Sequence, residues 1–345
     1  MDRILILGAN YGLLCAMRFA LGGHTVDIVC RNEEIAALNQ SGIKIDIATR
    51  GGGERTMICD QTAAMEINGI SAKDAHKRSY DFVVFAMQEG QFADPEIAAL
   101  AQSIAQQKLP TISLMNISTA PFLKTLNHGW DETFTAFFHG RDVWDQFDPA
   151  YFSQSSPDPQ IFKPNPTEPT HVQVRLASNF KLAPFANEQI NARLIKTCKS
   201  SNAAPNLKTG TPKPRVNLVV GRSRYVALAK WPMLIAGNYR CVTSGEPIAI
   251  KDAVFADVEQ TRTIYDQVLK LCLSLGASGT DLVPFGAYCK AAQQLDKPSS
   301  VSRAAELPGA KLERMDLLIH TLCNIHDVAV PELDRIVERI ENKLN

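Results

Sequence analysis

The opening stretch of the chain limits its fold more than any other. An unbroken apolar run, Ile4-Leu5-Ile6-Leu7, ends at Gly8. A helix-like segment follows, Leu13-Leu14-Cys15-Ala16-Met17-Arg18-Phe19-Ala20, stopped by Gly22-Gly23 and succeeded by Thr25-Val26-Asp27-Ile28-Val29-Cys30. Strand, helix and strand in that order make a βαβ unit, and a right-handed crossover makes its two strands parallel.

The alternation continues. Phe82-Val83-Val84-Phe85-Ala86 reads as a strand, residues 93–107 as a helix and Thr111-Ile112-Ser113-Leu114-Met115 as another strand, which predicts a doubly wound sheet. Between 139 and 170 the text changes to Phe147-Asp148-Pro149, Ser155-Ser156-Pro157-Asp158-Pro159 and Pro164-Asn165-Pro166. This Pro-rich insertion is expected to be a connection or cover outside the sheet, because proline cannot donate to a central ladder. Sheet pattern resumes at Val172-Gln173-Val174-Arg175-Leu176, followed by a helix near 187–198, an exposed connection over 199–214 and a strand at Val216-Asn217-Leu218-Val219-Val220. Past Gly221 the pattern is helical over 223–240, 252–276, 310–327 and 331–344, with Pro331 suited to the first position of the last helix. At 345 residues the chain exceeds the roughly 250–300 at which one core stops growing. The expected architecture is therefore α/β: a Rossmann-type dinucleotide-binding domain over 1–220 and an all-helical substrate or dimerisation domain over 221–345, forming two walls of a cleft.

Composition excludes several classes. Lys plus Arg and Asp plus Glu are both 36, so nothing suggests a nucleic-acid partner. No apolar run approaches the length of a membrane span, and the Ile4–Leu7 run is interrupted by Asn10, Tyr11 and Gly12, unlike an export signal. Eight cysteines without a CxxC pair fit a reduced, cytoplasmic setting. No HExxH or clustered Cys/His set points to a metal, and no G-x-S-x-G elbow points to a hydrolase. The aromatics from Trp130 to Phe152 suggest a local hydrophobic cluster, with a lid or a homodimer contact as the alternative.

Gly8-Ala9-Asn10-Tyr11-Gly12 occupies the strand exit and helix start, where backbone N–H groups and the helix dipole hold a pyrophosphate. In G-x-G-x-x-G register Asn10 takes the second glycine position and Leu13 the third; a turn that merely packs helix on strand is the alternative. Arg31 follows the second strand where NAD-selective sites place an acid, and a guanidinium there would accept a 2′-phosphate, favouring NADP; a solvated surface arginine is the alternative. Asp27 is acidic but lies inside the strand, too early for that role.

The stretch from Gly22-Gly23-His24-Thr25-Val26-Asp27-Ile28-Val29-Cys30-Arg31 to Ser41-Gly42-Ile43 resembles the ketopantoate reductase family. The resemblance is best over residues 3–125 and from about 222 onward, and poor over 128–214. It implies an N-terminal Rossmann domain, a helical second domain and NADPH-dependent reduction of a 2-oxo acid, as in conversion of 2-dehydropantoate to pantoate for pantothenate biosynthesis. By the same resemblance Asn116 is the strand-end asparagine beside nicotinamide and substrate, Lys230 in Ala229-Lys230-Trp231 the general acid, and Asn238 a substrate contact on the same helix. Leu234 replaces the family's other asparagine, and Gln88 stands where the family has a lysine beside the cofactor. Ser299-Ser300 and Glu313 match the family's serine pair and glutamate, although alignment from the C-terminal side puts Arg314 in the glutamate's place.

The set suits hydride transfer to a carbonyl. The oxygen gains negative charge and needs an acid, which Lys230 could be if burial lowers its pKa. Glu313 would orient Lys230 or bind a substrate hydroxyl, and Ser300 would hold the carboxylate. Each residue has a plainer alternative: a surface lysine at 230, a strand-end turn at Asn116, a helix N-cap at Ser300 and a solvated helix residue at Glu313. A related dehydrogenase acting on another 2-oxo or imino acid, and a non-catalytic dinucleotide-binding regulatory protein, remain the rival readings.

Overall fold

Parallel strands covered on both faces must be apolar throughout, and β1 (Arg3–Leu7) is fully buried from Ile4 to Leu7. The computed structural model describes residues 1–48, 54–59, 66–157, 159–176, 178–204 and 216–344. The remaining strands are β2 (Thr25–Val29), β3 (Ile43–Ala48), β4 (Glu54–Cys59), β5 (Ile67–Ile70), β6 (Phe82–Phe85), β7 (Thr111–Ser113), β8 (Phe152–Pro157), β9 (Gln160–Phe162), β10 (His171–Leu176), β11 (Phe180–Leu182) and β12 (Leu218–Val220). Eight of them form one sheet in the order β12-β11-β8-β7-β6-β1-β2-β5, and four form a second in the order β4-β3-β10-β9. The larger sheet is parallel except where β11 meets β8. Strand order runs outward from β1 in opposite directions, toward β2 and toward β6, which makes the ends of β1 and β6 the topological switch point.

The predicted βαβ unit is present, with its helix at Tyr11–Leu21. That helix packs on the one spanning Glu188–Ala203 closely enough that a Cβ on Gly22 would lie 2.7 Å from the Ser201 backbone. Buried Arg18 donates to the Ser201 carbonyl at 2.6 Å. This contact carries the second helix through 199–203, which the sequence reading assigned to a connection; residues 205–214 of that expected connection lie outside the described ones. Asp27 is fully buried in β2 and accepts from Arg3, Asn68, Arg78 and Tyr80, so it is a structural hub.

The expectation for the insertion is overturned. Residues 152–157 are not a cover but β8, an interior strand hydrogen-bonded to β7 on one side and β11 on the other. Its polar text, Phe-Ser-Gln-Ser-Ser-Pro, is accommodated because Ser153 donates to the Ala183 carbonyl and Gln154 to the Met115 carbonyl. Pro157 sits at the end of the strand, where the loss of one donor matters least. Of the second sheet the sequence reading found only the strand at Val172–Leu176, which is β10; it missed β3, β4 and β9, the last contributed by the insertion. The aromatics divide into local clusters: Trp144, Phe147 and Phe152 with Phe85 and Phe92, and Trp130 with Phe134 and Phe138.

The chain divides into two units, one of residues 1–88, 92–115 and 142–224 that holds both sheets, the other of residues 89–91, 116–141 and 225–345. The second is helical. Its Val258–Ser274 helix is separate from Ile250–Phe255, where the sequence suggested one helix, because Asp257 leaves the helical conformation and caps the Gln260 N–H. Pro331 opens the last helix as expected, and Leu333, Ile336 and Ile340 form its buried stripe. The helix predicted over 223–240 is a composite: a 3₁₀ segment Arg224–Lys230, one α turn Trp231–Met233, a π turn Leu234–Asn238 and a closing 3₁₀ turn Tyr239–Cys241.

Gly237 in the π turn leaves room for Tyr288, since a Cβ there would lie 2.0 Å from its hydroxyl oxygen. Overpacking of this kind costs about 1–3 kcal/mol. Gly237→Ala is expected to destabilise the fold by about that amount in denaturant titrations, and an unchanged midpoint would show that Tyr288 yields freely.

Candidate functional site

At the exit of β1, Gly8 has φ +108°, and a Cβ on it would lie 2.8 Å from the Ala86 carbonyl oxygen just beyond β6. Glycine is required here on both counts. Asn10 precedes the Tyr11–Leu21 helix without its side chain capping it, and its Oδ1 is buried with no hydrogen-bond partner among the described residues. A helix start at a switch point and a glycine-held turn fit a bound pyrophosphate, for which the first-turn N–H groups of Tyr11 and Gly12 would be donors, whereas the orphaned Asn10 Oδ1, an acceptor, would need a donor of its own. Gln88 is exposed beyond β6, in the place the sequence reading gave it.

Arg31 lies two residues past β2 and is the N-cap of the Asn32–Ser41 helix, after the second strand as placed by the sequence. Its exposed guanidinium bonds Glu34 at 3.0 Å and pairs with Glu33 at 3.2 Å. The Glu34 hydrogen bond is the main reason its pKa is raised.

The second unit holds the remaining candidates and brings Asn116 and Glu313 into contact. Asn116 follows β7 and bonds through its side chain to Glu313. The Glu313 carboxylate also accepts from the backbone N–H groups of Glu89, at 3.1 Å, and Ile117. Burial pushes the Glu313 carboxyl up to about 7; the nearby Glu89 charge adds to the rise, and the three donors oppose it. Glu313 is thus buried, not a solvated helix residue. Glu89, missed by sequence reasoning, is fully buried and accepts from the His139 and Gly140 N–H groups. Its place in the sequence, an acid four residues past β6, gives no local sign that it is enclosed.

The composite helix is tied to this centre at two places. Trp231, adjacent to Lys230, donates its indole N–H to Ser118 at 3.3 Å, two residues past Asn116. Tyr239, adjacent to Asn238, donates its hydroxyl to the Glu313 carbonyl and accepts from the Met315 N–H. Lys230 and Asn238, both half-buried, lie on a helix tied to Ser118 through Trp231 and to the Glu313 backbone through Tyr239. Ser299 donates to the Asn238 carbonyl at 2.7 Å and caps the next helix by accepting from Ser302, so Ser300 is the first helical residue and not the N-cap. Arg314, the rival to Glu313, is engaged with buried Asp316 at 2.9 Å. Leu234 is buried and brings no polar group. Among the described residues no group of His, Cys, Asp or Glu could hold a metal ion, and no helix is long and apolar enough to cross a membrane.

Comparison with known proteins accords with this layout. The family model described as ketopantoate reductase PanE/ApbA matches residues 4–117. A search of curated proteins by sequence gives no significant match. The fold is that of ketopantoate reductases: the PanE/ApbA family ketopantoate reductase from Ralstonia eutropha JMP134 has TM-score 0.66 at 12% identity, covering 99% of this chain and 98% of that one. The 2-dehydropantoate 2-reductase from Methylococcus capsulatus gives 0.64 at 14% identity, covering 99% and 96%. D-mandelate dehydrogenase, solved with NADH and anilino(oxo)acetate, gives 0.61 at 13% identity, covering 99% and 98%.

The raised Glu313 pKa has a sign that can be checked. Between the unfolded value near about 4.3 and about 7, the folded chain keeps a proton that the unfolded chain has released. Stability from this group is full at the low end and lost as pH rises through about 7. The melting midpoint should carry a decline over that window that Glu313→Gln removes, measured by calorimetry at a series of pH values; an identical profile in the variant would contradict the assignment.

Proposed function

We propose that the chain is a nicotinamide-dinucleotide oxidoreductase that reduces a 2-oxo acid to the 2-hydroxy acid with NADPH. The observation that carries this reading is the Asn116–Glu313 pair, formed directly past the end of β7 and flanked by the helix bearing Lys230 and Asn238. The family model running from β1 to Ile117, and the ketopantoate reductase fold, support the same chemistry.

In this reading Gly8, Asn10, Tyr11 and Gly12 hold the pyrophosphate, Arg31 takes the 2′-phosphate, and Gln88 lies at the β6 exit without the charge a lysine would add. The bound nicotinamide supplies hydride to the substrate carbonyl carbon. Lys230 gives its Nζ proton to the oxygen as that atom becomes negative. Asn116 orients the reacting groups, while Glu313, its carboxyl pushed up to about 7 by burial, donates a hydrogen bond to a substrate hydroxyl in its protonated form. Ser300, on the first turn of its helix, and Asn238 bind the carboxylate and neighbouring polar groups. Buried Leu234 favours a 2-oxo acid that is more apolar than ketopantoate on that side.

General acid catalysis is worth about 10² to 10⁴ in rate. Lys230→Ala should lower turnover by roughly that factor and leave NADPH binding unchanged, because the nucleotide-binding residues lie in the other unit. Lys230→Arg should not restore it, a guanidinium being too weak an acid. Near-normal turnover in the alanine variant, with steady-state kinetics as the measurement, removes Lys230 from the mechanism.

A further inference from the structure

Sequence reading gave the 2′-phosphate one cation, Arg31. The fold delivers a second to the same place. β9 is antiparallel to β10, β10 is parallel to β3, and β3 directly follows the Asn32–Ser41 helix. That path returns Lys163, the residue after β9, to the start of this helix. There the Lys163 ammonium bonds Glu34 Oε1, the same oxygen that accepts from the Arg31 guanidinium at 3.0 Å. The other Glu34 oxygen accepts the Arg31 backbone N–H at 3.0 Å. Glu34 is buried at 6% side-chain exposure, whereas Lys163 keeps 22% and Arg31 68%.

We infer that Lys163 is a second specificity-determining cation for a 2′-phosphorylated adenosine, with Glu34 as the residue that positions it beside Arg31. The inference rests on the dinucleotide reading above and deepens it. Two cations from distant parts of the chain share one carboxylate oxygen where a strand–helix junction meets the adenosine ribose in a dinucleotide fold. Glu33 and Glu34 balance these charges in the protein itself, so the site is poised and not strongly repulsive before a ligand arrives. A phosphate dianion carries twice the charge of one carboxylate and accepts from an ammonium and a guanidinium at once, whereas the bare 2′-hydroxyl of NADH cannot pair with both. Glu34 prevents the long Lys163 side chain from dispersing into solvent, lowering the entropy lost on binding.

The test is calorimetric titration of the full chain with NADPH and NADH, and with adenosine 2′,5′-bisphosphate against 5′-AMP. The unaltered chain should favour the 2′-phosphorylated member of each pair. Lys163→Met should lose about tenfold or more toward those members alone, in line with loss of one charge-assisted hydrogen bond, and Lys163→Arg should keep the preference. If Lys163→Met does not fold, Lys163→Gln provides the same readout. Equal losses for both members of a pair, or an unchanged ratio, overturn the role of Lys163 in favour of a purely structural ion pair. A ratio that collapses in Arg31→Ala but persists in Lys163→Met leaves the dinucleotide reading standing and removes Lys163. An unaltered chain that binds neither dinucleotide refutes the reading itself and this inference with it.

Discussion

Three separate stretches of the chain compose the second unit, and the carboxyl group of Glu313 is where they meet. It comes from the last stretch, accepts from Glu89 in the first and from Asn116 and Ile117 in the second. A buried carboxyl is costly unless its oxygens are satisfied, and the arrangement of these segments supplies the donors. Burial, with the nearby Glu89 charge adding to it, pushes the carboxyl up to about 7, so a protonated form able to donate a hydrogen bond is populated near neutral pH. Tyr239 then binds the backbone of the same residue, so the helix that carries Lys230 and Asn238 depends on this centre for its position.

The first unit rests on a different constraint. Its sheet reverses winding at β1, and the glycine turn leaving that strand is pressed so closely on the exit of β6 that no side chain fits. The helix start that follows leaves first-turn backbone N–H groups with no acidic residue beside them, which is the ground for the proposed pyrophosphate place. Charge enters farther along, at the β2 exit.

Sequence pattern disclosed what depends on local periodicity. The β1, β2, β6 and β7 runs were legible because strands covered on both faces need nearly continuous apolar text, and Pro331 marked its helix by backbone chemistry alone. β8 was illegible for the opposite reason: Ser153, Gln154, Ser155 and Ser156 look like a surface loop, and only tertiary partners such as the Ala183 and Met115 carbonyls make a buried polar strand tolerable. At the candidate site, Asn116 and Glu313 were found through family resemblance and Glu89 was not found, because nothing local tells that an acid after a strand is fully enclosed. Lys163 was hidden for the same reason as β8, since its place follows from the pairing of β9, β10 and β3, which are far apart in the chain.

Oxidation of NADPH by the purified chain across a panel of 2-oxo acids, including ketopantoate and phenylglyoxylate, tests the central claim most directly. The account predicts loss of nicotinamide absorbance that depends on the 2-oxo acid and yields the matching 2-hydroxy acid in equal amount. Tight dinucleotide binding with no turnover on any member of the panel would contradict it and leave a dinucleotide-binding protein without this chemistry.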